Sequence, residues 1–82
     1  MERQEAFEKV VKILTPHVKN MKALDSVSDT TNILDDLKVN SARLVDVVLA
    51  FEDEFDIEIP DEDVDLVNTV GDCVNLILEK SS

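Results

Sequence analysis

Between residues 41 and 56 the apolar side chains fall at Leu44, Val48, Phe51 and Phe55, the period of one buried helical face. The same period runs through Phe7, Val10, Val11, Leu14 and Val18, with Glu2, Glu5, Glu8, Lys9, Lys12 and Lys19 around them. It predicts a first helix from residue 2 to about 19 with one face in the core. Pro16 lacks a backbone donor and crowds the preceding turn, so this helix either stops near Leu14 or carries a kink. A third stripe, Val70, Cys73, Val74, Ile77 and Leu78, predicts a last helix over 70–79, capped by Thr69. Before it, Ile57 and Ile59 alternate toward the inside, and Pro60 followed by Asp61, Glu62 and Asp63 suits the opening of a short helix.

The count is three main helices and one short one, an all-α chain. Residues 20 to 39 form a long connection between the first two helices. They are rich in Ser, Thr, Asn and Asp, whose side chains bond back to the backbone, and Val27, Ile33, Leu34 and Leu37 pin the segment to the core. A loop of this length in a small domain is often functional. The 82 residues leave room for one domain, 1–82, and one modest core.

Composition sharpens this picture in two ways. With three Phe and no Trp or Tyr, the core must be built mostly from Val, Leu and Ile. A formal net charge of -11 excludes a nucleic-acid partner, because a phosphate backbone would be repelled. Such a surface either keeps the protein soluble or steers it onto basic partners. The charged start "MERQEAFEKV" is no signal peptide, and no apolar run approaches the length that spans a bilayer. A cytoplasmic location without membrane insertion is expected. Cys73 is alone, so no intramolecular disulfide forms, and its apolar surroundings predict a buried, inert side chain.

Catalytic chemistry finds little support. His17, the only histidine, follows Pro16 at the end of the first helix, and a nucleophilic triad would need it beside Ser41 across the fold. Gly71 is the only glycine, so no glycine-rich phosphate loop exists. In "DEDVDLVNTVGD", Asp61, Asp63 and Asp65 fit the first three ligand positions of a calcium loop. However, Leu66 stands where the turn needs Gly and Asp72 where the bidentate Glu belongs, so no metal site is expected.

Ser41 remains. Asn40 is a good N-cap, which places Ser41 at the first helical position, facing solvent at the positive end of the helix dipole. A phosphate ester there would meet free backbone amides, and a serine that accepts a group from another enzyme needs no activation of its own. The surrounding stretch, "VSDTTNILDDLKVNSARLVDVVLAFEDEFDIEIPDED", resembles the acyl carrier protein family. It shares with that family a loop ending in an Asp-Leu pair, the serine, a helix with an acidic "EDEF" end, and an "IP" followed by acids. The resemblance covers nearly the whole chain.

The resemblance implies a four-helix bundle with a long first loop, and a phosphopantetheine arm that a phosphopantetheinyl transferase moves from coenzyme A onto Ser41. The thiol of that arm would hold an acyl group as a thioester for delivery to acyl-transferring or acyl-activating enzymes in fatty-acid, lipid or secondary-metabolite synthesis. The protein itself would catalyse nothing and would act as a monomer. Val47, Val48 and Phe51 are expected to shelter an apolar chain. Asn40, Ala42, Arg43, Val45, Asp46, Leu49, Glu52 and Asp53 are expected to meet partners, whose docking patches would be basic.

The sequence departs from the family pattern at three places. Asn-Ser-Ala replaces Asp-Ser-Leu, Lys38 replaces the usual Gly, and Arg43 stands where an acid is common. These changes imply a specialised carrier with dedicated enzymes. The alternative is a carrier-like domain that has lost modification and works as an acidic protein-interaction module.

Overall fold

A computed structural model describes residues 2–81. Its helices are α1 (Arg3–Leu14), α2 (Ser41–Phe55), α3 (Asp61–Val64) and α4 (Val70–Ser81). Two 3₁₀ turns, Thr15–His17 and Met21–Ser26, lie between α1 and α2. Ala6, Val10 and Leu14, one helical turn apart, are fully buried, with Phe7 and Val11 half-buried beside them. α1 ends at Leu14 rather than running to residue 19. Pro16 diverts the chain into the first 3₁₀ turn, and Val18 reaches the core from extended backbone.

α2 buries Leu44, Val47, Val48, Phe51 and Phe55, and the Phe51 and Phe55 rings meet at 6.5 Å in a tilted arrangement. It stops at Asp56, whose φ of 54° takes the left-handed conformation common at helix ends. The following segment is tied back to it, for the Ile59 amide donates to Glu52 Oε2 at 3.0 Å. α3 is a single turn opened by Pro60, and Asp63 fastens it to the end of α4 through Lys80 at 3.0 Å. α1 packs most extensively on α4 and α2, and all the buried apolar residues form one continuous core.

The long connection has more structure than the sequence suggests. The Leu37 carbonyl accepts from the Lys19 and Asn20 amides, and Asn20 Nδ2 donates to the Asp36 carbonyl, so the two ends of the loop are joined. Asn32 Oδ1 accepts from Leu34 and Asp35 amides while its own amide donates to Asp36 Oδ2. The loop then docks on the start of α4 through Ile33 N to Asn68 O, Val70 N to Thr31 O and Gly71 N to Asp29 O, each 2.9 Å. Gly71 is required by that approach: a Cβ there would lie 2.8 Å from the Asp29 carbonyl oxygen. Ile33, Leu37 and Val39 are buried, so the loop contributes core as well as connection.

Candidate functional site

Ser41 owes its position to its neighbours. Leu37 and Val39 on one side and Leu44 on the other are buried, and the Val39 amide donates to the Ile33 carbonyl at 3.2 Å. Between the two loop anchors Lys38 takes a φ of 59°, which turns the chain toward the helix. Asn40 is extended, with φ −64° and ψ 136°, and its Oδ1 accepts from the Ala42 amide at 2.8 Å, an N-cap bond. Ser41 is therefore the first residue of α2, exposed, with a hydroxyl that bonds to none of the described residues. Two other serine hydroxyls are engaged: Ser81 Oγ donates to the Ile77 carbonyl at 2.7 Å, and Ser28 Oγ and Thr30 Oγ1 are hydrogen-bonded at 3.1 Å.

The first turn of α2 contains no acid, so nothing there opposes an anion at the positive end of a 15-residue helix. A phosphate ester on Ser41 fits this setting in charge, exposure and freedom of the hydroxyl. Ser41 itself lines a groove of about 310 Å³ toward α3, together with Leu34, Leu44, Val45, Val64, Asp65, Val67 and Asn68. On the other flank of the α2 terminus lies a hollow of about 390 Å³ lined by Pro16, His17, Val18, Lys19, Asn40 and Arg43. His17 sits in the 3₁₀ turn after α1, and no hydrogen bond joins it to Ser41.

Along α2, Ala42, Arg43, Val45, Asp46, Leu49 and Asp53 are all exposed, and Val45 and Leu49 keep 58% and 55% of their surface in solvent. Two large apolar side chains exposed among charged residues make that face distinctive. Arg43 lies 3.9 Å from Asp46, an exposed pair of small energetic weight. Glu52 is only half-buried and spends one carboxylate oxygen on the Ile59 amide, so it holds the loop after α2 as well as edging this face. Val47, Val48 and Phe51 are buried in the core, and the open apolar surface next to Ser41 belongs to Leu34, Leu44, Val45, Val64 and Val67.

The acids after α2 hold no metal cluster: among the described residues no three His, Cys, Asp or Glu converge. Asp63 pairs with Lys80, and Asp72 is engaged as a cap. Its Oδ2 accepts from the Asn68 and Thr69 amides, at 3.0 and 3.1 Å, while its own amide donates to Thr69 Oγ1 at 3.1 Å, a reciprocal capping box. These two amides, Asn68 first, hold the Asp72 carboxyl below its ordinary value. Burial, aided by the nearby Asp72 charge, pushes the Cys73 thiol up to about 12, so it stays protonated and inert. The reciprocal cap was readable as the Thr-x-x-Asp spacing of residues 69 and 72. The groove was not, because Leu34, Leu44 and Val64 come from three separate segments.

A helical bundle that presents an exposed, unbonded serine hydroxyl at an acid-free helix terminus, with an apolar groove alongside, suits a carrier module. The phosphopantetheine attachment site family matches residues 18–77. The chain is 44% identical over 78 residues to the acyl carrier protein of Picosynechococcus sp., covering 95% of this chain and 94% of that one. It is 41% identical over 76 residues to the acyl carrier protein of Caulobacter vibrioides, covering 93% and 95%. A solved structure of the acyl carrier protein from Enterococcus faecalis superposes with a TM-score of 0.81 at 42% identity, covering 99% of this chain and all of that one. The chain belongs to the acyl carrier protein family. Its cofactor is phosphopantetheine, it is a carrier and no enzyme, and its class of partner is the synthases and transferases that such carriers serve. No helix among the described residues is long and apolar enough to cross a membrane.

Proposed function

We propose that Ser41 is the residue that bears the phosphopantetheine arm, and that the chain works as a monomeric, single-domain cytoplasmic carrier with dedicated enzymes. The observation that carries the assignment is the exposed, unbonded Ser41 hydroxyl at the first position of α2, inside the segment matched to the attachment-site family. The arm supplies a thiol that holds an acyl group as a thioester. The chain's own residues do the rest. Asn40 fixes the start of the helix, the α2 terminus favours the negative charge of the ester, and the Leu34–Val64–Val67 side of the groove offers apolar cover to an acyl chain.

Docking is assigned to the exposed face of α2, with Asn40, Ala42 and Arg43 nearest the serine and Val45, Asp46, Leu49, Glu52 and Asp53 beyond. Val45 and Leu49 supply apolar contact, while Asp46 and Asp53, two turns apart, would meet a basic patch. Asn40 and Arg43 support a specialised set of partners, because they alter charge beside the tether. Incubation of the purified protein with a phosphopantetheinyl transferase and coenzyme A, followed by intact mass, tests the reading. One arm per chain is expected. No addition by any tested transferase would instead favour an unmodified acidic interaction module.

A further inference from the structure

α3 is loosely held between two firm points. Ile59 and Val67 are buried, the Ile59 amide donates to Glu52 Oε2 at 3.0 Å, and the Asn68 carbonyl accepts from Ile33 at 2.9 Å. Between those points none of residues 60–66 is buried, and among the described residues their backbone hydrogen bonds close within 60–67. α3 packs extensively on no other helix, and only Val64 of its residues reaches the edge of the core. Open space lies on both sides of it. One side is the groove that contains Ser41, where Val64 forms the α3 wall. The other is a hollow of about 210 Å³ against α4, lined by Asp63, Leu66, Asn75 and Leu76 among others. Among the described residues one ion pair ties α3 to the rest of the fold: Lys80 Nζ, at the end of α4, lies 3.0 Å from Asp63 Oδ2, with side chains 30% and 25% exposed. α4 in turn packs extensively on α1, so the tie leads to a well-held helix.

We propose that the Asp63–Lys80 pair positions α3 as a wall of the groove and so determines how well an acyl chain is held there. The inference rests on the groove being the place of the acyl chain. A chain lying between Leu44 and Val45 on one side and Val64 on the other gains apolar burial only while Val64 stays close. With firm points only at Ile59 and Val67, few buried contacts oppose a swing of the span between the groove and the hollow against α4. The ion pair removes that freedom by tying the middle of the span to the end of α4. A partly exposed pair is weak in itself, but the element it restrains is one turn long and buries no residue. Neither Asp63 nor Lys80 lines the groove, so both are positioning residues that act on the chain through Val64.

The test compares the arm-bearing protein with its octanoyl form in wild type, Lys80→Met, Asp63→Asn and the charge-conserving Lys80→Arg. Both forms are made with a phosphopantetheinyl transferase, from coenzyme A or octanoyl-coenzyme A, and verified by intact mass. The readout is the difference in melting midpoint between the two forms of each variant, in which a general effect on folding cancels. In wild type and Lys80→Arg the octanoyl group should raise the midpoint by about 4–8 °C, and in Lys80→Met and Asp63→Asn that gain should fall by half or more. An equal gain in all four proteins, or a loss as full in Lys80→Arg as in Lys80→Met, would overturn the positioning role and leave the groove reading in place. A wild-type protein without any gain would overturn the groove reading, and this inference with it, while leaving Ser41 as the attachment point. A protein that takes up no arm would overturn the attachment reading and all that rests on it.

Discussion

Lys38 carries a backbone conformation that suits another residue. Its φ of 59° lies in the left-handed region, where a side chain costs roughly 1–2 kcal/mol that glycine does not incur. Lys38→Gly should therefore raise stability by about 0.5–1 kcal/mol after the greater freedom of the unfolded glycine is counted. For a domain of this size that is a rise of roughly 2–8 °C in the melting midpoint by circular dichroism. An unchanged or lower midpoint would show that the loop relieves the strain by other means. At the same scale, Asn40 and Ser41 were legible in the sequence, since an N-cap side chain and the residue after it follow from local chemistry alone. The sign of the hollow beside them was not, because Lys19 lies more than twenty residues before Asn40 and Arg43, and only the joined ends of the loop bring it near.

The elements were legible in proportion to how local their causes are. The α2 stripe and its N-cap stood out because period and capping lie within one segment, whereas Pro16 left a stop near Leu14 and a kink both open, and the helix stops. The second 3₁₀ turn and the docking of the loop on α4 were hidden, because they depend on backbone groups such as the Asp29 carbonyl that carry no sequence signal. That contact makes Gly71 the informative residue of α4. Alanine is the better helix former by about 1 kcal/mol, yet its Cβ would strike the Asp29 oxygen, so Gly71→Ala should destabilise by roughly 1–3 kcal/mol in urea unfolding. A stabilised variant would show that the loop yields without loss.

Asp72 tests the other end of the same junction. Its folded carboxyl titrates below the ordinary 3.8, so its contribution is fully present above that value and is lost as pH falls through the lower, folded one. Asp72→Ala should cost about 1 kcal/mol at pH 7, and wild type and variant should converge as pH drops below about 3.8. A gap of constant size through that range would mean the loss is one of packing, with no contribution from the charged cap.

Across the whole molecule, a net charge of -11 contrasts with a small basic region beside the start of α2, and a charge distribution of this kind steers the approach of charged partners. Individual exposed pairs contribute little, ~0.2–1 kcal/mol each, but together they set encounter rate and orientation. Arg43 puts a positive charge on the α2 face proposed for docking. Arg43→Glu should improve acyl transfer with general fatty-acid synthesis enzymes and weaken it with the dedicated partner, both effects shrinking as salt rises. Transfer assays at two salt concentrations check this, and an unchanged preference at low salt would reduce Arg43 to a solvated surface residue. The central claim is narrower, since the chain has five serines and the account selects one of them. Tandem mass spectrometry of the transferase-loaded protein locates the arm. The account predicts that every modified fragment contains Ser41 and that Ser41→Ala remains unmodified with its helicity intact, whereas an arm on Ser26, Ser28 or either C-terminal serine would contradict it.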